Sequence, residues 1–195
     1  MLRFSTRGDS EWLHVHNAQP GQGDREFESR HRRRRPQDVA RGIVLQPEEG
    51  QSYWQPIWAN GYSIVKLSPK HAGPDNLAMG IQVIAPGGYV HSHTPNQEIL
   101  FCFAGKGTVI VDGVPHPFAP GTTVYAAPGV RHKIINDGAD ELKMTWTYLP
   151  PGLDEFFAAI GRPREPGEPA PEPFVRPADV HAIEAKTGYG PPIEG

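Results

Sequence analysis

From residue 51 onward, short apolar runs and apolar–polar alternations recur at close spacing, each bounded by Gly, Pro, Asn-Gly or Asp-Gly. Alternation with a period of two places successive side chains on opposite faces of a strand. On this pattern strands are predicted over 51–58, 62–67, 77–84, 98–103, 108–111, 114–118, 122–126, 132–135 and 141–148. A further strand is predicted through His91 and His93. Asn60-Gly61, Asp112-Gly113 and Asp137-Gly138 are hairpin turn signals. Pro86-Gly87-Gly88, Gly105-Lys106-Gly107 and Pro128-Gly129 supply the remaining turns. Pro56 limits the pairing of the first strand and marks it as an edge. The apolar run over 98–103 is expected to be covered on both sides. Many short strands with turn signals between them predict an all-β sandwich or closed barrel.

The pattern changes outside this region. After Pro150-Pro151-Gly152, the segment 153–160 has the apolar spacing of a short helix ended by Gly161. It is expected to cap the barrel mouth or to pack on a second subunit. Residues 162–177 are Pro- and Glu-rich and predicted extended, and 179–186 is expected to form a final helical turn. The division is therefore 1–41 as an unfolded extension, 42–152 as the barrel, and 153–195 as helix and tail.

Residues 1–41 hold nine Arg and six acidic residues, while the remainder of the chain is net acidic. Few apolar residues are available there to offset the entropy of ordering, so disorder is expected. The run Arg32 to Arg35 has no aromatic or motif context, and nucleic-acid binding is not expected. No apolar stretch follows these charges, which argues against a secretory signal. Glu26 to Arg30 can be encoded by DNA resembling the T-arm of a tRNA gene. On that ground the reading frame is expected to have been extended upstream of the native start.

Composition narrows the class. With 22 Pro and 22 Gly in 195 residues, turns are abundant, which favours β over helical structure. No apolar run approaches the roughly 20 residues of a membrane-spanning helix. The single cysteine, Cys102, excludes an internal disulfide and suits a reducing compartment, so a cytoplasmic location is expected. Its setting, Ile99-Leu100-Phe101-Cys102-Phe103, fits a buried apolar role better than a nucleophile.

The candidate chemistry lies in two stretches. In one, His91 and His93 share a strand face, and Glu98 follows a Thr-Pro-Asn-Gln bend. In the other, His132 follows the Pro128-Gly129 turn at the head of a strand. Strand pairing in a closed sheet would bring these four together, and imidazoles with a carboxylate suit Fe, Mn, Ni, Cu or Zn. The other histidines, His14, His16, His31, His71, His116 and His181, lack such a setting and are taken as surface or structural.

These stretches resemble the paired motifs of the cupin superfamily, small β-barrels that hold one metal ion. His91-Ser92-His93, Glu98 and Gly105 stand at the spacing of the first motif. Gly121, Pro128-Gly129, His132 and Asn136 follow the second. Ala85 and Ala127 stand where a glycine and a proline are expected. The resemblance covers residues 50 to 150. It implies a cupin-type barrel (a double-stranded β-helix or jelly roll) with one divalent metal ion on His91, His93, Glu98 and His132.

A lumen-facing Glu98 would put Leu100 and Cys102 on the pocket wall, with Gln82, Tyr125 and Trp146 as further lining candidates. Three neutral imidazoles and one carboxylate leave two positions open in an octahedral site. The favoured expectation is a dioxygenase acting on a small aromatic, flavonol-like or diketone-like molecule. The alternatives are a non-redox isomerase, lyase, decarboxylase or cyclase, or a non-catalytic binder of a sugar or effector. By resemblance a homodimer is expected, with its contact near Trp54 and Trp58.

Overall fold

The structure is a computed structural model that describes residues 42–92 and 95–189, with the backbone alone described for His91 and Ser92. Two antiparallel sheets make up the barrel. The larger is built from β1 (Gln51–Trp54), β2 (Tyr62–Leu67), β3 (Ala78–Ile84), β5 (Gln97–Ala104), β8 (Thr123–Ala126), β10 (Leu142–Leu149) and the two-residue β11 (Arg162–Pro163). Its strand order is β11-β1-β2-β3-β10-β5-β8. The smaller holds β4 (Tyr89–Ser92), β6 (Gly107–Val111), β7 (Val114–Phe118) and β9 (His132–Ile135), in the order β4-β9-β6-β7. Two short helices follow the barrel strands, α1 (Leu153–Ile160) and α2 (Val180–Thr187).

The predicted alternation is realised in the burial. Along β10, Leu142, Met144, Trp146 and Tyr148 are buried, and the residues between them are half-buried. Along β5, Glu98, Leu100 and Cys102 are buried, and Ile99, Phe101 and Phe103 are exposed. The buried rows meet Val109, Phe118 and Ile134 of the smaller sheet in one core. A close approach inside this core demands glycine at position 80. A Cβ there would stand 2.3 Å from the Ile64 carbonyl oxygen and 2.6 Å from the Trp146 ring. The β6–β7 hairpin turns on Asp112-Gly113, both with positive φ (47° and 83°), as a type I′ turn requires.

Three expectations need correction. The first strand ends at Trp54, short of the predicted residue 58, because Pro56 cannot donate to a ladder. Its open side is covered by β11, with Trp54 opposite Arg162. The strand β5 is not covered on both sides, since its outer row stays in solvent. The segment after the barrel is otherwise as anticipated. The helix α1 packs Leu153, Phe156, Phe157 and Ile160 into the barrel's own core, with Phe157 edge-on to Trp146.

Candidate metal centre

Glu98 and His132 come from different sheets. Glu98 stands near the start of β5, paired with Ala126 of β8 and Tyr148 of β10. His132 is the first residue of β9. Glu98 Oε2 lies 3.0 Å from His132 Nε2, and the two residues are 5% and 4% exposed. A residue pair 34 positions apart thus converges between the sheets.

Local structure holds each of them. The turn before His132 is closed by the Val130 amide donating to the Ala127 carbonyl. It is clamped from the β6–β7 hairpin: the Asp112 amide donates to the Arg131 carbonyl at 2.8 Å, and the Arg131 amide donates to Asp112 Oδ1 at 3.2 Å. On the other side, Asn96 Nδ2 donates to the Pro150 carbonyl at 3.0 Å and anchors the bend that delivers Glu98. Asn136 is fully buried, and its amide donates to the carbonyls of Ile84 and Asp140. It ties the end of β9 to β3. The sequence motif contained Asn136 without revealing this role, and Asn96 was missed because a polar residue in a bend looks like solvent-exposed loop.

The pair has a specific electrostatic character. His132 Nδ1 lies 3.4 Å from the Val130 carbonyl, which only an N–H can satisfy. Nε2 then presents a lone pair to a carboxylate oxygen, and two acceptors at 3.0 Å need a cation between them. A proton is one choice. Burial lowers the basicity of His132, but the hydrogen bond and charge of Glu98, the Val130 carbonyl and Asp112 outweigh it, and the pKa lies above the ordinary 6.5. A metal ion is the other. Glu98 Oε2 is buried with His132 Nε2 beside it at 3.0 Å, an arrangement that also suits a pair of metal ligands. The donor set therefore fits a divalent metal.

His91 and His93 carry the rest of the expected set. The β4–β9 ladder places His91 opposite Lys133 and Ser92 opposite His132, so this stretch of backbone adjoins Glu98's partner. The side chain of His91, and His93 altogether, lie outside what is described. Among the described residues no group of three or more His, Cys, Asp or Glu is assembled for a metal.

The lining candidates divide. Leu100, Cys102 and Trp146 are buried on the face that carries Glu98. Gln82 is buried on β3, where it borders a small cleft with Gln55, Trp58, Tyr89, Phe156 and Arg176. That cleft, ≈ 20 Å³, has room for about one water and does not include Glu98 or His132. Tyr125 does not line the interior. It is 58% exposed on the outer face, where its hydroxyl donates to Gln97 Oε1 at 3.2 Å. The reason is register: β8 alternates, and Val124 and Ala126 take the inner positions. At the expected dimer contact, Trp58 is 41% exposed while Trp54 is packed within the subunit. Trp54 is 8% exposed, with its indole N–H bonded to Glu168 and β11 alongside.

Sequence comparison finds relatives over part of the chain. The chain is 33% identical over 82 residues to Protein SchB of Streptomyces halstedii, covering 41% of this chain and 59% of that protein. It is 28% identical over 91 residues to the dimethylsulfoniopropionate lyase DddW of Ruegeria pomeroyi, covering 46% and 53%. The chain thus spans less than two thirds of the length of these relatives. In fold it is similar to a predicted oxalate decarboxylase from Thermotoga maritima, with 20% identity and a TM-score of 0.50 over 55% of this chain and 99% of that one. No described helix is long and apolar enough to cross a membrane. Residues 80–148 match the family described as Cupin domain, and the double-sheet architecture agrees with that match.

Proposed function

We propose that this cupin is a metal-dependent enzyme, with a divalent ion held by Glu98, His132, His91 and His93, that acts on a small carboxylate or carbonyl substrate as a lyase or decarboxylase. The observation that carries the reading is the buried approach of Glu98 Oε2 to His132 Nε2. A bound divalent ion would supply Lewis acidity toward a substrate oxygen. The chain supplies the setting. The Val130 carbonyl keeps the proton of neutral His132 on Nδ1, so Nε2 is free to ligate. Leu100, Met144 and Trp146 exclude water beside Glu98, which strengthens every charge interaction in the site. Burial raises the pKa of Cys102, so its thiol stays protonated and is not the nucleophile.

Non-redox chemistry is placed first, ahead of the dioxygenase expected from sequence, because one relative is a lyase by name. The apolar wall of Leu100, Cys102 and Trp146 favours the second reading, oxygenation of a small diketone-like molecule.

Metal analysis of the purified full chain tests the centre: close to one equivalent is expected, falling at least tenfold in Glu98→Ala and His132→Ala. Unchanged metal in both variants would remove these residues from the ligand set. Turnover of small carboxylates and β-diketones is then followed beside an oxygen electrode. Turnover without O₂ uptake is expected. Uptake in step with turnover would establish oxygenation instead, and bound metal with no turnover would indicate an effector-binding cupin.

A further inference from the structure

The cleft beside β3 gathers polar groups that the fold leaves without partners. Gln55, Trp58, Gln82, Phe156 and Arg176 border it, and neither Glu98 nor His132 does. Gln82 is 5% exposed, and its amide has no hydrogen-bond partner among the described residues. Gln55 is as deeply buried, but its amide nitrogen is engaged by Ser63 Oγ at 3.1 Å and the Tyr53 carbonyl at 3.3 Å. Arg176 enters from the segment behind α1. Its Nε is buried and also has no partner among the described residues. The guanidinium carbon stands 5.3 Å from the Trp58 ring and 5.9 Å from the Phe156 ring. Both rings are walls of the cleft, so the charged head of Arg176 borders it, not only the stem.

A buried donor without an acceptor costs stability, and a charged one costs more. Leucine at position 82 would avoid that cost. Two unmatched donors at one cleft therefore point to an acceptor that the chain itself does not supply. The free edge of Arg176 narrows its chemistry. Glu184 Oε1 lies 3.4 Å from Nη1, which leaves Nε and Nη2, the edge that grips a carboxylate in two parallel bonds. Glu184 balances this charge only in part, because its other oxygen lies 3.0 Å from His181 Nδ1. Size narrows the choice further. The cleft, ≈ 20 Å³, has room for about one water, and so for one carboxylate oxygen. The rest of a ligand would lie at the mouth beside Trp58, which is 41% exposed.

We infer that this cleft binds the carboxylate of a small organic acid, with Gln82 donating from the barrel and Arg176 from the C-terminal segment. The segment is held where such a site needs it. The Ile57 amide donates to the Phe174 carbonyl at 2.9 Å, and the Arg162 guanidinium lies 4.0 Å over the Phe174 ring. Arg176 stands well beyond residues 80–148, the span that matches the Cupin domain, so the site is an addition to the barrel. It does not depend on the metal reading.

Titration of the metal-free full chain with acetate at constant ionic strength, followed by tryptophan fluorescence, tests it. Acetamide is the uncharged control, and thermal melting by circular dichroism checks folding. Acetate should bind saturably, and acetamide at least about tenfold more weakly. Gln82→Leu and Arg176→Met should each weaken acetate binding at least about tenfold, while His132→Ala leaves it unchanged. Without acetate, Gln82→Leu should melt no lower than the parent, because it removes an amide that has no partner. Should Arg176→Met fail to fold, Gln82→Leu carries the test alone. Absence of saturable acetate binding without metal would overturn the inference, since a carboxylate that needs the ion belongs to the metal centre. So would acetate binding that survives both substitutions, or acetamide binding as tight as that of acetate. A lower melting temperature in Gln82→Leu would overturn it too, by showing that the amide is satisfied within the fold.

Discussion

One strand carries two surfaces with opposite fates. On β5 the inner row is Glu98, Leu100 and Cys102, all buried, and the outer row is Ile99, Phe101 and Phe103, each near 40% exposed. The outer row is the more hydrophobic of the two. Hydrophobicity alone therefore does not decide which face turns inward. The decision is collective. The inner row of β5 aligns with Tyr148, Trp146 and Met144 of β10, and these align with Ala78, Gly80 and Gln82 of β3. A slip of one residue on β5 would point Glu98 outward and separate it from His132. Register thus fixes the core and the candidate metal site together.

The largest break in this comparison comes from truncating neighbours on opposite faces. Leu100→Ala should cost about 2–5 kcal/mol, since it leaves a cavity against Trp146 and Val124. Phe101→Ala should cost under about 1 kcal/mol within a single subunit, because its side chain keeps much of its water contact when folded. Urea unfolding of both variants measures the difference. Equal losses would mean that β5 is covered on both faces after all.

Gly80→Ala examines the same alignment from β3 and should cost about 1–3 kcal/mol, read in the same urea titration. The added methyl meets a backbone carbonyl and the Trp146 ring, and neither can move without disturbing the ladder. A neutral result would show that Trp146 has room to shift, and with it the wall beside Glu98.

Much of this was legible in the sequence, and the exceptions have physical causes. Turn residues fixed where strands begin: the predicted 132–135 is β9, and 153–160 is α1. The spacing of Glu98 and His132 in the two motifs anticipated a meeting that the fold delivers at 3.0 Å. What failed was facing. Tyr125 was assigned to the interior because an aromatic residue in a strand fits either face, and only the position of Val124 and Ala126 decides between them. The pairing of β1 with β11 was hidden as well, since it joins Trp54 to Arg162 across more than a hundred residues. Local pattern carries no signal for so distant a ladder, least of all where Pro163 supplies half of a two-residue strand.

A smaller effect in free energy separates His132 from its neighbour on β9. His132 is buried and turned to Glu98, whereas Lys133 lies over the Tyr89 ring with its Nζ 4.2 Å from the centroid. His132→Ala should lower metal affinity by more than the roughly 10–100-fold that losing an outer-shell partner of a ligand costs. Lys133→Ala should leave it unchanged and cost at most about 1 kcal/mol of cation–π contact. Competition with a fluorescent chelator reads both. Equal effects would place the metal elsewhere.

The smallest effect is the dependence on pH, because burial and Glu98 act on His132 in opposite directions. Burial lowers its pKa, while Glu98, the Val130 carbonyl and Asp112 together raise it by more, leaving it above the ordinary 6.5 in the metal-free fold. A raised folded pKa means that this pair stabilises the metal-free protein fully below about 6.5, and that the contribution is lost as pH rises through the folded value. The sign reverses for metal binding. Ligation needs neutral imidazole, so protons compete with the ion from above the ordinary histidine range downward, and metal should be largely released below about pH 6. Metal-free protein should therefore melt higher at pH 5.5 than at pH 8 on account of this pair, and metal-loaded protein should not. Glu98→Gln removes the charge that raises His132 and should abolish that difference while keeping the shape of the side chain. If the metal-free variant and the parent show the same change in melting temperature between the two pH values, the proton between Glu98 and His132 is not what holds the two sheets together at this point.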